Sequence, residues 1–217
     1  MFNLMHQIWT YLKYHFYDYH RNTKYINNLV KTPNLDMTEV WGKTKEVVDN
    51  DSGLYKSVSQ YMAGNCWLNA KLSQFYEFDE LSDIDKMIYN GINETVKKVT
   101  PLSYPITLFH GFEEFTNYKE NRWVIGRNIN IPGFLSKTPS FHVAGLFAHG
   151  VSYFNRKYLI VEYPIGSKHI GLEIRPKHTE EYEYLTRSNE NLLLVKKIRR
   201  LGFFYMSTYY VCKSLDY

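Results

Sequence analysis

The sequence predicts an α+β fold in which helices come first and a mostly antiparallel sheet assembly follows. Two observations predict this order. Up to about residue 100, apolar residues recur at helical spacing. From Pro101 onward, short apolar or alternating segments are separated by Gly, Pro and Asn, which is typical of strands joined by turns. At 217 residues the chain is long enough for one such domain, with or without an N-terminal helical appendage.

Helices are predicted over residues 3–20, 37–48, 53–63 and 66–76. Pro33, the turn-forming cluster at 49–53 and Gly64 indicate the breaks between them. A further helix begins after Ser82, because Ser82 and Asp85 resemble a capping box and the apolar residues that follow share one face. The first and the last of these are interpreted as ordinary packing helices.

Strands are predicted over residues 106–109, 128–131, 158–165, 192–198 and 203–212. In the third of these, Leu159, Val161 and Tyr163 fall on one face, as in a strand with one buried side. One short helix interrupts the strands. Pro139 suits its first turn, and apolar residues repeat at helical spacing after it.

Charge and cysteine content exclude several classes of function. The net charge of +4 is only mildly basic and the densest positive run, 196–200, is short, so a dedicated nucleic-acid binder is not expected. Cys66 and Cys212 lie far apart, without a second ligand at metal spacing, and the histidines do not converge either. We therefore expect no metal site and no disulfide framework.

The N-terminal segment has no uninterrupted apolar stretch of the length that a signal peptide or a membrane span requires. We therefore expect an intracellular protein that does not associate with membranes. A Gly-rich phosphate loop is also missing from the sequence, so a bound dinucleotide would lie in a cleft between sheets and not on a dinucleotide-binding crossover.

Glu181 and Glu183 lie two residues apart in the polar stretch IRPKHTEEYEYL at 174–185. On an extended backbone that spacing directs both carboxylates to one side. Taken alone, such a pair is common on solvated strand edges. It gains significance from two upstream segments, LFHG at 108–111 and GFLSKTP at 133–139.

These three segments, in this order, resemble the signature of the NAD-dependent mono-ADP-ribosyltransferases. His110 and Gly111 match the family strand in which an NAD-contacting Arg or His precedes Gly. Ser136 and Thr138 match the family's Ser-Thr-Ser/Thr element, with Lys137 in place of the middle Thr. The chain thus combines the His of one family class with the Ser of the other.

The resemblance extends from about residue 55 to the C-terminus. Residues 61–72 resemble a family helix with an Asn between apolar positions, and Arg156 lies in the basic run before a strand that ends in a Pro/Gly-containing loop. TEEYEYL matches the turn with two acidic residues. This implies a two-sheet ADP-ribosyltransferase-like catalytic domain over 51–217, with a helical extension over 1–50.

The implied activity is transfer of ADP-ribose from NAD to a macromolecular acceptor, with release of nicotinamide. Glu183 would be the catalytic residue. Glu181 would orient the acceptor, and Glu instead of Gln there favours arginine side chains. We expect NAD as the substrate and a protein as the acceptor, while a nucleic-acid acceptor stays open.

The chemistry explains why these residue types are needed. Nicotinamide leaves NAD as a neutral ring, so no general acid is required and one carboxylate suffices, in contrast to glycoside hydrolysis. An anion at Glu183 would stabilise the developing positive charge on the sugar. Hydroxyl groups of Ser136 and Thr138 would donate hydrogen bonds to this carboxylate and oppose the effect of the neighbouring acidic residues on its ionisation.

The remaining predicted contacts concern the rest of NAD. His110 would hold ribose hydroxyls or the adenylate portion, and Gly111 would let the ligand approach the backbone. Arg156 is assigned to the diphosphate because a guanidinium binds it in a bidentate manner, with Arg127 and Arg175 as alternatives. Two other functions stay open: a binding module that has lost catalysis, and an NAD glycohydrolase in which water replaces the acceptor.

Overall fold

A computed structural model describes residues 25–26, 37–63, 68–73, 78–112, 122–148, 155–173, 182–201 and 206–216. Its helices are α1 (Met37–Asp49), α2 (Ser52–Met62), α3 (Leu68–Ser73), α4 (Asp83–Lys98) and α5 (Phe141–Ala148), with a 3-10 turn at Phe78–Glu80. Its strands are β1 (Ile106–Gly111), β2 (Asn128–Ile131), β3 (Asn155–Tyr163), β4 (Ile170–Glu173), β5 (Tyr182–Leu185), β6 (Glu190–Leu201) and β7 (Met206–Ser214).

The predicted α+β order is confirmed. Helices α1 to α4 follow the predicted periodic segments, while the predicted helix at 3–20 lies outside the described residues. Ser82 caps α4 as expected, since its Oγ accepts a hydrogen bond from the Asp85 amide at 3.2 Å. Strands β4 and β5 are not among the predicted strands, and α5 begins at Phe141, two residues after Pro139.

The described strands form two sheets. The larger has the order β1-β3-β7-β6-β2, in which only β3 and β7 are parallel, and the smaller pairs β4 with β5. Residues of both sheets share one apolar cluster, which includes Leu159 and Val161 on β3 and Tyr184 on β5. Helices α2 and α4 pack on the other face of β4–β5, and α5 packs on the other face of the larger sheet.

Helix α1 belongs to this core, although the predicted extension includes it. Val40 is fully buried in the cluster between the sheets, and the Thr44 hydroxyl accepts a hydrogen bond from the Gly171 amide at 2.9 Å. The division predicted at residue 50 therefore does not follow the packing.

The segment after β2 joins the two sheets. Thr138 exchanges two backbone hydrogen bonds with Phe109 on β1, at 2.7 and 2.8 Å. Lys137 exchanges two with Tyr184 on β5, at 3.0 and 2.6 Å. In an antiparallel arrangement successive residues direct their N–H and C=O groups to opposite neighbours, so this short segment binds β1 on one side and β5 on the other.

Helix α5 packs directly on the end of β1 at Gly111. A Cβ atom at that position would lie 2.0 Å from the Ala144 carbonyl oxygen and 2.7 Å from the Ala148 amide nitrogen. Both atoms belong to backbone and cannot move aside as a flexible side chain would. The expectation that Gly111 admits a ligand is therefore replaced by a packing role, because a helix occupies the space beside it.

We expect Gly111→Ala to lower the free energy of unfolding by about 3 kcal/mol, because the helix must be pushed away from the strand. Gly42→Ala is the matched control, since a Cβ atom there has nothing within 4 Å. In the interior of α1 it should raise stability by about 0.5–1 kcal/mol. Urea denaturation of both variants measures the difference. Equal stabilities would contradict the described contact between α5 and β1.

Candidate active site

Strand pairing brings three of the predicted site residues to one side of the sheet. Because Lys137 lies opposite Tyr184, the next pair along this antiparallel bridge is Thr138 and Glu183. Side chains alternate along an extended backbone, so Ser136 projects to the same side as Thr138. Lys137 projects to the opposite side. Glu183, Ser136 and Thr138 therefore form one group.

The carboxylate of Glu183 is buried and hydrogen bonded. Only 8% of the residue is exposed, and Oε1 accepts a hydrogen bond from the Tyr61 hydroxyl at 3.0 Å. The Tyr61 oxygen accepts in turn from the Asn69 amide at 3.1 Å, and Asn69 Oδ1 accepts from the Phe134 backbone N–H at 3.0 Å. Tyr61 and Asn69 lie on α2 and α3, so the two helices contribute directly to the surroundings of this carboxylate.

The Thr138 hydroxyl makes one hydrogen bond to the backbone and keeps its own proton available. Its Oγ1 accepts a hydrogen bond from the Ser140 amide at 3.1 Å, in the turn that leads into α5. A hydroxyl that accepts can still donate its own proton, so Thr138 remains able to donate to a carboxylate on its side of the sheet.

Lys137 lies outside this group, in a buried polar network between the sheets. Its Nζ donates to Glu190 Oε2 at 2.7 Å and to Thr186 Oγ1 at 2.8 Å, and the Tyr163 hydroxyl donates to Glu190 Oε1 at 2.6 Å. Burial lowers the pKa of Lys137, and the Glu190 carboxylate opposes this effect. The departure from the family pattern at position 137 therefore changes the core and not the side that carries Glu183.

His110 projects to the side of Lys137, opposite to Glu183, and is hydrogen bonded to the backbone of Ser136. Its Nδ1 lies 2.6 Å from the Ser136 carbonyl oxygen. A carbonyl only accepts, so Nδ1 carries the proton. Burial lowers the pKa of His110 to about 4, which keeps the ring neutral at pH 7 and leaves Nε2 as an acceptor. The contact between His110 and a sugar hydroxyl stays a prediction from the sequence.

Arg156 projects to the same side of the larger sheet as Thr138, because Thr138 is paired with Phe109 and Phe109 with Ile160. On the larger sheet Gly111 is paired with Tyr158, so Arg156, two residues earlier on β3, projects to the face that α5 covers. His110 is paired with Leu159 and projects to the opposite face. The sheet therefore separates Arg156 from His110, and the expected contact between Arg156 and the diphosphate stays a prediction.

Of the two alternatives to Arg156, Arg127 is exposed beside β2, at the edge of the larger sheet away from β1. Arg175 lies outside the described residues, as do Glu180 and Glu181. Their placement near Glu183 therefore stays a prediction from the sequence.

Tyr61 is the site residue that sequence reasoning missed. Asn69 could be found, because it lies in the segment that resembles a family helix. Nothing in the spacing of Tyr61 connects it with a glutamate 122 positions away along the chain. Only the packing of α2 against β5 brings the two side chains together.

In the described ranges no three His, Cys, Asp or Glu side chains are grouped as metal ligands. Within the same ranges, no helix has both the length and the apolar character needed to cross a membrane.

The depressed pKa of His110 predicts a pH dependence of stability. Because the pKa falls from 6.5 to about 4 on folding, the contribution is complete above pH 6.5 and is lost as the pH falls toward 4. At full protonation the loss is about 3 kcal/mol. Denaturant unfolding at pH 7.5 and pH 4.5 should show a smaller drop for His110→Asn, whose amide retains a donor to Ser136 but does not titrate. The same drop in both proteins would show that His110 is accessible to protons in the folded state.

The sequence matches no protein-family model and no curated protein. Its structure is similar to Plx2a, an ADP-ribosyltransferase toxin from Paenibacillus larvae, with a TM-score of 0.63 and 13% identity over 82% of this chain and 92% of that one. Exoenzyme S from Pseudomonas aeruginosa gives a TM-score of 0.58 and 18% identity, covering 87% of this chain and 86% of that one.

A third similar structure is C3stau2 from S. aureus, with a TM-score of 0.58 and 12% identity over 83% of this chain and 96% of that one. These proteins are covered over 86–96% of their length. The two-sheet core predicted from the motifs is thereby confirmed. The chain has the fold of the ADP-ribosyltransferase toxins.

Proposed function

We propose that this protein is an NAD-dependent mono-ADP-ribosyltransferase that transfers ADP-ribose to a macromolecular acceptor. The observation that carries the proposal is the buried Glu183 carboxylate, held by Tyr61 on the side of the sheet to which Ser136 and Thr138 project. The resemblance of these three segments assigns the same residues to NAD chemistry. Independently of the motifs, the fold supports NAD-dependent ADP-ribosylation in general.

NAD is supported as the substrate by two of the similar structures. The exoenzyme S structure contains carba-NAD, and the C3stau2 structure contains NAD. The exoenzyme S structure also contains human 14-3-3 protein beta, so a protein of this fold binds another protein. For this chain, we infer NAD as the donor and a protein as the acceptor.

In the proposed reaction the bond between ribose C1′ and the nicotinamide nitrogen breaks, and its electron pair leaves with nicotinamide as a neutral ring. Positive charge develops on the sugar. The Glu183 carboxylate stabilises this charge most strongly in the transition state, and its low-dielectric surroundings increase the effect. A nucleophilic group of the acceptor then forms the new bond to C1′ and loses a proton.

The neighbouring residues would hold the substrate and the carboxylate. Ser136 and Thr138 donate to Glu183 and stabilise its charged form. His110 Nε2 accepts a hydrogen bond from a ribose hydroxyl, since the tautomer fixed by Ser136 leaves this nitrogen unprotonated. Glu181 orients the acceptor, with arginine favoured. The proposal keeps Arg156 as the candidate for the diphosphate and assigns no role to Gly111, whose position is explained by the contact with α5.

Glu183→Gln should lower the rate of nicotinamide release from NAD by at least about 100-fold, because the amide preserves the buried volume but removes the charge. Glu94→Gln is the control, since Glu94 is an exposed residue of α4 that pairs with Lys97. Release of nicotinamide from labelled NAD measures the rate. Turnover in Glu183→Gln equal to that of the unaltered protein would overturn the catalytic assignment.

Glu181→Ala should spare the hydrolysis of NAD and abolish the labelling of acceptor protein, because Glu181 acts on the acceptor and not on the sugar. The assay is incubation of the protein with labelled NAD and cell lysate, followed by measurement of free ADP-ribose and labelled protein. Free ADP-ribose without labelled protein in the unaltered enzyme would identify an NAD glycohydrolase. Neither product would identify a binding module.

A further inference from the structure

We propose that Tyr61 is a positioning residue for the reaction of Glu183, and that Asn69 acts through it. The Tyr61 hydroxyl fixes one carboxylate oxygen of Glu183, so that the other oxygen is presented to the sugar of the substrate. This inference rests on the proposed function, which it deepens by naming the residues that orient the carboxylate.

The direction of each hydrogen bond follows from the donors present. Asn69 Oδ1 accepts from the Phe134 backbone N–H, which fixes the orientation of the amide. Its nitrogen therefore faces Tyr61 and can only donate, at 3.1 Å. The oxygen of Tyr61 is thus the acceptor in that contact, and its single proton is directed to Glu183 Oε1 at 3.0 Å. Successive donors aligned in this way polarise one another toward the carboxylate.

Packing holds the Tyr61 ring in place. The ring meets that of Phe134 edge to face, with centroids 6.4 Å apart. Phe134 is 2% exposed, and it also contacts Tyr89 with a centroid distance of 5.4 Å. These contacts hold the ring in one position. The hydroxyl is therefore held in one orientation, from which it donates a hydrogen bond to Glu183 Oε1. Phe134 is also two residues before Ser136, so the residue that holds the Tyr61 ring lies in the same segment as Ser136.

If Tyr61 had a purely structural role, Tyr61→Phe would have a different effect on catalysis. If the ring only fills space, Tyr61→Phe preserves the contact with Phe134 and leaves catalysis unchanged. If the hydroxyl positions the carboxylate, the same substitution removes one donor from a charged group. The ionised form of the carboxylate is then less favoured, and the rate falls at a higher pH than in the unaltered protein.

The test measures nicotinamide release from NAD by the full chain across a range of pH. We expect Tyr61→Phe to lower kcat by about 10- to 100-fold, the range for loss of a hydrogen bond to a charged group. KM should change by less than about threefold, since the lost interaction acts in the transition state. The acid limb of the pH–kcat profile should move up by about one pH unit.

Tyr89→Phe is the matched control. Tyr89 also packs on Phe134, but its hydroxyl accepts from Ser188 Oγ at 2.7 Å. It should leave kcat and the acid limb unchanged. Asn69→Ala is the second variant, and it should shift the profile in the same direction as Tyr61→Phe. The double variant should be no slower than Tyr61→Phe, because Asn69 acts through the tyrosine.

The outcomes separate this inference from the proposed function. If the unaltered protein releases nicotinamide and Glu183→Gln does not, the proposed function stands. A Tyr61→Phe variant with the unaltered kcat and acid limb would then overturn the positioning role alone. A protein that releases no nicotinamide would overturn both. Thermal unfolding of each variant shows whether a lower rate results from unfolding. If Tyr61→Phe does not fold, the pH–kcat profile of Asn69→Ala tests the positioning role instead.

Discussion

The alternation of the backbone from Ser136 to Thr138 is the constraint on which the candidate site depends. Lys137 and Thr138 direct their backbone groups to different sheets, so the segment must be extended. An extended segment has to place neighbouring side chains on opposite sides. The hydroxyl-bearing residues are therefore grouped with Glu183, and the residue between them enters the core. One backbone geometry produces both the connection between the sheets and the arrangement of the site.

The side of this segment that faces the core carries a buried ion pair. The side chains of Lys137 and Glu190 are 0% and 1% exposed, and they form an ion pair at 2.7 Å. Buried ion pairs are tolerated when additional hydrogen bonds satisfy the remaining donors and acceptors. Tyr163 and Thr186 supply these to Glu190 here. The network connects the segment 136–138 with β3, β6 and the end of β5. It therefore holds this segment in place, and Glu190 balances the charge of Lys137.

Sequence reasoning predicted most of the fold, because helices α1, α2 and α4 and strands β1, β2, β3, β6 and β7 are periodic over several residues. Strands β4 and β5 have four residues each and border a polar run, so their alternation is too short to be distinguished from a loop. Motif spacing indicated that Ser136, Thr138 and Glu183 act together, and the bridge between Lys137 and Tyr184 directs Thr138 and Glu183 to one side. It could not give the face of Arg156, which is set by the register between β1 and β3.

Contacts between distant helices and strands were also beyond sequence reasoning. The bond from Tyr61 to Glu183 depends on how α2 packs on β5, and no local pattern encodes that packing. The role of Gly111 was misassigned for the same reason, since the helix that fills the space beside it begins 30 residues later at Phe141.

The Lys137 side chain is buried in the core, where it pairs with Glu190. The residue type required at position 137 therefore depends on Glu190 and not on the substrate. Related chains can therefore differ at the middle position of this tripeptide without any change in chemistry, provided that the residue equivalent to Glu190 changes with it. A motif definition that demands a hydroxyl at all three positions would miss this chain. A definition that uses only the first and third positions would retain it, with the residues at 137 and 190 treated as one coupled pair.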